Sequence, residues 1–289
     1  MTEPSRADYR FFHHLRVRWA EVDMQKIVFN AHYLMYLDTA VADYWRALAL
    51  PYEAAMQQLD GDVYVKKASL EYHASARYDD RLDIGLKCER IGNSSFSFRG
   101  GIFRDDELLI SADLLYVFAN PVTQKSRPVP PPLRALFASY EQGAGVVTTR
   151  LGSWAELGAA IWPIRTEVLV QEQGIAAELV DDGADPSALH LLLCNQLGMP
   201  VATGRLQQLD GGVSRLARIA VSRVLRGSGL GRLVLDTLVQ AAAQRGDRSV
   251  VLQARHSAQG FYARAGFTAQ GEPYAVAGSG HIDMARSLG

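Results

Sequence analysis

The chain is poor in cysteine, in net charge and in long apolar runs, and each shortage removes a class of function. Only Cys88 and Cys194 occur in 289 residues, so a disulfide framework is excluded and a cytoplasmic setting is expected. Neither thiol has a sequence context that would lower its pKa, and both are read as core residues rather than nucleophiles. Thirty Lys and Arg against 31 Asp and Glu leave a formal charge of −1, which gives no field to recruit a nucleic-acid backbone or an anionic membrane. No apolar stretch approaches the length that crosses a bilayer, and the opening MTEPSRADYRFF is too charged for a signal peptide. No grouping of His, Cys and Asp has zinc-ligand spacing, so no metal is expected.

Lysine is also missing from the whole second half. Lys26, Lys66, Lys67, Lys87 and Lys125 all precede position 126, and every later cationic side chain apart from histidine is an arginine. This shift, with a length suited to two cores, predicts two domains. The joint is placed in RPVPPPLRALFASYEQGAGVVTTRLGSW, where prolines end the first domain and a short helix follows. The boundaries read 1–140, a small-residue linker over 141–152, and 153–289. We expect an α+β protein, its first half a long helix wrapped by an antiparallel sheet.

The second half carries a glycine-rich turn, R-G-S-G-L-G, between the apolar strand ARIAVS and an amphipathic helix. Gly227, Gly229 and Gly231 leave room for backbone N–H groups to face an anion at the positive end of that helix, with Arg226 and Arg232 beside it. Leu230, Val234, Leu238 and Ala242 repeat on one helix face, and Gly246 ends it. A Walker loop would need Lys followed by Ser or Thr after the glycines, and a dinucleotide site would need G-x-G-x-x-G in an early strand–helix unit; neither is present.

The turn resembles the coenzyme A pyrophosphate loop of GNAT-type N-acetyltransferases, R-x-x-G-x-G/A. VVLQARHSAQGFYARAGF (250–267) is similar to the family's next strand and FY-x-x-x-GF helix, and GEPYAVAGSGHIDM (271–284) to its closing strand pair. RTEVLVQEQGI (165–175), Asp181, Asp182 and His190 resemble the opening of a bacterial subgroup reading R-x-x-VF-x-x-EQG, a run of acids, then HL. The resemblance implies an α/β domain with a mixed central sheet, in which Arg226, Gly227, Ser228, Gly229, Leu230, Gly231 and Arg232 hold the CoA pyrophosphate and Ile219, Ala220 and Val221 offer backbone groups to the pantetheine arm. Tyr262 matches a phenol that can protonate the departing thiolate, although a core tyrosine would look identical. Glu172 could deprotonate an amine directly or through water. Glu178, Asp181, Asp182 and Asp185 could attract a cationic acceptor, but a solvated acidic loop is the favoured reading. Arg255 stands where the subgroup has Gln, which bears on the acceptor.

The first half begins with a strand, FFHHLRVRWAEVD, followed by a helix from about Ala31 to Leu50 with the stripe Leu34, Leu37, Val41, Tyr44 and Leu48, closed by Pro51. Four segments then alternate with period two: Ala68, Leu70, Tyr72; Leu82, Ile84, Leu86, Cys88; Phe96, Phe98; and Ile110 to Phe118. WAEVDMQKIVFNAHYLMYLD (19–38) resembles the signature of hot-dog acyl-CoA thioesterases of the 4-hydroxybenzoyl-CoA thioesterase type, D-x-x-G-x-V-x-x-x-x-Y-x-x-x-x-E/D. The likeness continues through 68–84 and 108–130. It implies that Asp23 is the catalytic acid, that Asn30 and Ala31 begin the central helix whose amides meet the oxyanion, and that the active site lies between subunits of a homodimer or larger assembly. Lys26 replaces the family's common Gly, and Asn30 stands where many relatives have His or Tyr. A thioester hydrolase needs a carboxylate that attacks the carbonyl or activates water, plus N–H donors for the oxyanion. A bare turn cap would place Asp23 in the same position. His32 is read as a polar or dimer contact.

The function expected is therefore a bifunctional enzyme of CoA thioesters, hydrolysing acyl-CoA in the first half and transferring an acyl group to an amine in the second. Acetyl-CoA or acyl-CoA is a substrate, and no cofactor is held permanently. The alternative is a thioesterase whose GNAT half binds CoA without turnover, as a sensor or oligomerisation module.

Overall fold

The computed structural model describes residues 3–276 and 278–289, and these divide into two compact units, 1–146 and 147–289. In the first unit β1 (Phe11–Arg16) is followed by α1 (Asn30–Ala47) and α2 (Tyr52–Gln58). Four long strands come next: β2 (Asp62–Tyr72), β3 (Arg81–Ile91), β4 (Ser95–Arg104) and β5 (Glu107–Ala119). The unit closes with α3 (Pro131–Glu141). Among the described residues the five strands form one antiparallel sheet in the order β1-β3-β4-β5-β2.

The sheet packs on α1. Tyr44 meets Phe98 edge-on at a ring separation of 4.9 Å, and Trp45 meets Phe96. A Cβ at Gly100 would come within 2.9 Å of Leu37 Cδ2, so glycine at that place on β4 lets the helix close on the strand. The buried stripe of α1 is Tyr33, Tyr36, Leu37, Ala40, Val41, Tyr44 and Trp45, whereas Leu34 is exposed. The apolar band of this helix is wider than one stripe, and only packing selects which edge of it turns inward. β2 departs from expectation more strongly. Ala68 and Tyr72 of its alternating set are exposed and Leu70 only half-buried, because β2 is an edge strand with a neighbour on one side.

The second unit opens with β6 (Val147–Gly152), α4 (Trp154–Arg165), an irregular π-type turn over Thr166–Glu172 and the short α5 (Ala177–Val180). Then follow β7 (Leu189–Asn195), β8 (Pro200–Leu209), β9 (Val213–Val221), α6 (Leu230–Arg245), β10 (Ser249–Arg255), α7 (Gln259–Ala263), β11 (Thr268–Val276) and β12 (Ser279–Ser287). The sheet order is β11-β12-β10-β9-β8-β7-β6, with β9 and β10 parallel and the other pairs antiparallel. The expected closing strand pair is β11 and β12; residue 277 of that segment lies outside the described residues.

The stretch 147–152, read as linker, is instead the edge strand β6, paired with β7 from Val147↔Asn195 to Gly152↔His190. Its middle residues are exposed. An edge strand with almost nothing to bury has the composition of a linker, and the hydrogen-bonded pairing is invisible to patterning. The four residues that repeat on α6 are all buried beneath β8, β9 and β10. Both cysteines are free, one in each unit, and burial pushes the Cys88 thiol up to about 12.

Candidate functional sites

In the first unit the chain between β1 and α1 doubles back on itself. Asp23 N–H donates to Ile27 O at 2.9 Å, Val22 bridges Val28, and Phe29 N–H donates to Glu21 O at 2.9 Å. Asp23 therefore lies on one limb of a tight loop, and the other limb runs directly into the first turn of α1. Its Oδ1 accepts from Gln25 N–H at 2.8 Å, the bond a turn cap makes. Among the described residues Oδ2 has no protein partner, and neither do the N–H groups of Asn30 and Ala31 at the start of an 18-residue helix. The arrangement thus holds a half-committed carboxylate and free helix-end donors on one short loop. Lys26, where the resembling family commonly has Gly, adopts φ +64° in this loop, which shows why glycine suits the position.

Glu21, missed in the sequence, anchors the loop. Its Oε2 accepts from Arg18 N–H and Tyr36 O–H, each at 2.7 Å, and Oε1 accepts from the Arg18 guanidinium. Burial by itself would raise this carboxyl, but the donors outweigh it and hold it below the ordinary range. The only signal was the R-x-x-E spacing of Arg18 and Glu21, which also occurs by chance. Around the loop, Trp19 (74% exposed), Met24 (100%), Phe29 and Tyr78 present apolar surface to solvent.

In the second unit, among the described residues, β9 and β10 pair only over Val213–Leu216 and Ser249–Leu252, so 217–221 have β8 on one side and no strand on the other. A bulge marks the parting. Arg218 takes φ +54°, and Arg218 and Ile219 together oppose Gly204 between the Ala217↔Arg205 and Ala220↔Thr203 pairs. The unpaired edge contains Ile219, Ala220 and Val221. Beyond it comes the glycine turn, with Gly227 at φ +86° and Gly229 at φ +87°, the latter capping the 16-residue α6. Among the described residues the N–H groups of Gly227, Gly229, Leu230 and Gly231 have no protein acceptor, and a Cβ at Gly227 or Gly229 would meet no atom within 4 Å. Free donors, open space and a helix N-terminus coincide at the carboxyl end of a strand, the geometry that receives an anion. Ser228 is turned inward, its hydroxyl donating to Leu225 O at 2.6 Å.

The cations beside the turn are engaged. Arg232 pairs with Asp236 at 2.6 Å. Arg226 donates both terminal nitrogens to Glu172, at 2.6 and 2.7 Å, so the residue expected to hold pyrophosphate grips the residue expected to act as base. Hydrogen bonds from Arg226 hold the Glu172 carboxyl below the ordinary range. Tyr262 packs against Phe261 and Phe267; burial pushes its phenol up to about 12, so the hydroxyl keeps its proton at neutral pH.

The acidic run is not a solvated loop throughout. Asp185 is buried between Arg165, at 2.7 Å, and Arg205, at 2.9 Å, and Asp182 accepts a two-pronged bond from Arg205 and a further one from Arg218. Glu178 and Asp181 alone of the four face solvent without an ion pair among the described residues. His190 is buried in the same cluster. Arg165 can only donate to its Nδ1, so His190 is neutral with the proton on Nε2, which donates to Asp185 O at 2.9 Å. The arginines were separated in sequence by up to 53 positions, so no local pattern joined them to the acids.

Burial would raise the Asp185 carboxyl, yet the two guanidiniums prevail and hold it below its ordinary value. A depressed native pKa contributes stability above the unfolded pKa that is lost as pH falls through the native one. Asp185→Asn is therefore expected to destabilise the second unit by about 2–3 kcal/mol at pH 7, since asparagine keeps one acceptor but no charge. It should also flatten the decline of stability below about pH 4. Urea unfolding at pH 7 and at pH 3 checks both; an unchanged neutral midpoint would show that the buried network contributes nothing.

The family model described as "Acetyltransferase (GNAT) domain" matches residues 184–288, and "Thioesterase superfamily" matches 25–111. The uncharacterized N-acetyltransferase YjcF of Bacillus subtilis is 32% identical over 122 residues, which span 42% of this chain and 86% of the relative. The acyl-CoA thioester hydrolase YbgC of Escherichia coli is 29% identical over 129 residues, 44% of this chain and 93% of the relative. Among solved structures, an acyl-CoA N-acyltransferase from Pseudomonas aeruginosa is 30% identical and covers 48% of this chain and 99% of its own, with a TM-score of 0.45. Each relative accounts for one half only, and the chain joins a first half similar to the thioesterase superfamily to a second half that belongs to the GNAT acetyltransferase family.

Proposed function

We propose that the chain is a bifunctional enzyme of CoA thioesters, an acyl-CoA hydrolase in its first unit and an acyl-CoA-dependent N-acyltransferase in its second. The observation that carries this reading is the turn from Gly227 to Gly231, whose free N–H groups, open space and helix end adjoin the unpaired edge at Ile219–Val221. In the first unit Asp23 either takes a proton from the water that attacks the thioester carbonyl, or attacks that carbonyl itself to form a mixed anhydride that water then cleaves; the N–H groups of Asn30 and Ala31 receive the oxyanion, the C–S bond breaks, and the leaving thiolate takes up the proton that the water gives up. In the second, the amine nitrogen attacks the same kind of carbonyl. Glu172 takes the amine proton and the Tyr262 hydroxyl protonates the leaving thiolate.

We read the assembly as a homodimer or larger through the first unit, supported by the exposed edge strand β2 and by the apolar surface of Trp19, Met24, Phe29 and Tyr78. Balanced charge favours a cytoplasmic protein, and among the described residues no helix is long and apolar enough to cross a membrane. One observation favours the alternative of a CoA sensor: the only base assigned to the second unit is tied to Arg226.

Thiol release from a panel of acyl-CoAs, with and without a panel of amines, tests the proposal. Hydrolysis without amine and additional, amine-dependent release with a matching amide product are expected. Hydrolysis with no amide from any amine would leave the sensor reading, and no thiol release at all would remove the enzyme reading.

A further inference from the structure

The Glu172–Arg226 pair joins two residues whose tasks require them apart. Arg226 opens the pyrophosphate turn, and its guanidinium fork is filled by the two Glu172 oxygens, at 2.6 and 2.7 Å, while Nε donates to Val221 O at 3.3 Å. A guanidinium presents the same fork to a carboxylate and to a phosphate, so the two anions compete for one site. Glu172 ends the π-type turn Thr166–Glu172, and π turns inside helices are local irregularities that recur at functional positions. The residue after it, Gln173, accepts from Arg255 at 3.5 Å through its carbonyl. Segment 166–173 therefore touches the chain just beyond β9 through Arg226 and the end of β10 through Arg255, the two strands that part to leave the free edge.

The contacts are of the kind that can exchange. The Glu172 and Arg226 side chains are 29% and 42% exposed, so the pair is a solvent-facing one whose strength is modest. In the ion cluster around Asp185, by contrast, Arg165 and Arg205 are almost wholly out of solvent.

We propose that Glu172 is a latch: it occupies Arg226 in the free protein, and the pyrophosphate of an incoming CoA thioester displaces it, so that the carboxylate is released only when the acyl donor is bound. This rests on the reading of the Gly227–Gly231 turn as the CoA site and adds its regulation. Two consequences follow for the reaction. The base is withheld from an amine that arrives first, so transfer waits for acyl-CoA. The proton acceptor is then generated at the moment it is needed, in a site already occupied by donor.

The test is calorimetric titration of the full chain with CoA and, separately, with pantetheine, which lacks the pyrophosphate. Glu172→Gln removes the competing charge and keeps the shape. Because binding by the first unit is common to wild type and variant, the difference reports the second. CoA affinity of the variant is expected to rise about two- to fivefold, the factor an exposed pair supplies, with pantetheine affinity and melting temperature unchanged. Weaker CoA binding in Glu172→Gln would overturn the latch, since Glu172 would then be holding Arg226 in its binding position. Equal changes for CoA and pantetheine would also overturn it, because only the pyrophosphate competes. A Gly229→Val arm separates this from the underlying assignment: if that substitution leaves CoA binding intact, the turn is not the CoA site, and the latch falls with the site rather than by its own test.

Discussion

Replacing Asp23 by asparagine is expected to slow acyl-CoA hydrolysis at least about a hundredfold, and up to about 10⁴-fold, while the protein melts almost as before. The expectation turns on the loop's hydrogen bonds. Oδ1 of Asp23 accepts from Gln25 N–H, and the backbone of Asp23 bonds to Ile27 and Lys26. An asparagine oxygen can make the same capping bond, and the backbone bonds do not depend on the side chain. Glu21, gripped by Arg18 and Tyr36, continues to tie the loop down. What asparagine cannot do is attack a carbonyl or accept a proton from water, so the substitution separates a chemical role from a capping one. A hundredfold loss corresponds to about 2.7 kcal/mol of barrier, whereas a lost cap costs about 1 kcal/mol of stability. Thiol release and thermal melting, measured together, discriminate. Normal hydrolysis in a variant that melts lower would make Asp23 a structural residue and leave the hydrolase assignment on family likeness alone.

Gly229→Val is expected to abolish CoA binding by the second unit, at least about a hundredfold in affinity, without touching hydrolysis by the first. Gly229 sits at φ +87° and ψ −9°, a region that a β-branched residue enters only under strain, at about 1–2 kcal/mol. A Cβ there meets no protein atom within 4 Å, so the valine side chain would project into the open space that the free N–H groups of the turn line. The protein is strained but not clashed, and the ligand loses its place. Hydrogen bonds to a charged group contribute about 1.5–3 kcal/mol each, so denying an anion two of them exceeds the hundredfold mark. Calorimetry of CoA binding, with hydrolysis as the internal control, reads the effect. Gly229→Ala should fall between wild type and valine, since its single methyl enters the space less far. An unaltered CoA isotherm for Gly229→Val would remove the site from this turn.

Local, contiguous signals were legible in the chain. The R-G-S-G-L-G turn, the four-residue stripe of α6 and the loop from Asp23 to Asn30 are each made within a short run, and their geometry follows from backbone rules that act over a turn or two: glycine at positive φ, apolar repeats every three or four residues, free donors at a helix start. The wider apolar band of α1 was legible as a helix but not as an orientation, since Leu34 and Tyr33 both qualify and only tertiary packing, with Tyr33 against Tyr72 and beneath Ala76 N–H, buries one of them.

Composition and short-range pattern thus determined that the chain folds as two units of mixed α and β, where the glycine turn opens α6, and that Asp23 lies on the loop before the central helix. The tertiary structure alone decided the pairings between distant charges: Glu172 with Arg226, Asp182 and Asp185 with Arg165, Arg205 and Arg218, and Glu21 with Tyr36. It also decided that 147–152 is an edge strand and that β2 lies open on one side. The physical reason is common to these cases. An ion pair or a strand ladder is a relation between segments whose separation along the chain carries no information about their distance in space, and a lone arginine or an exposed strand reads the same in sequence whether or not its partner is there.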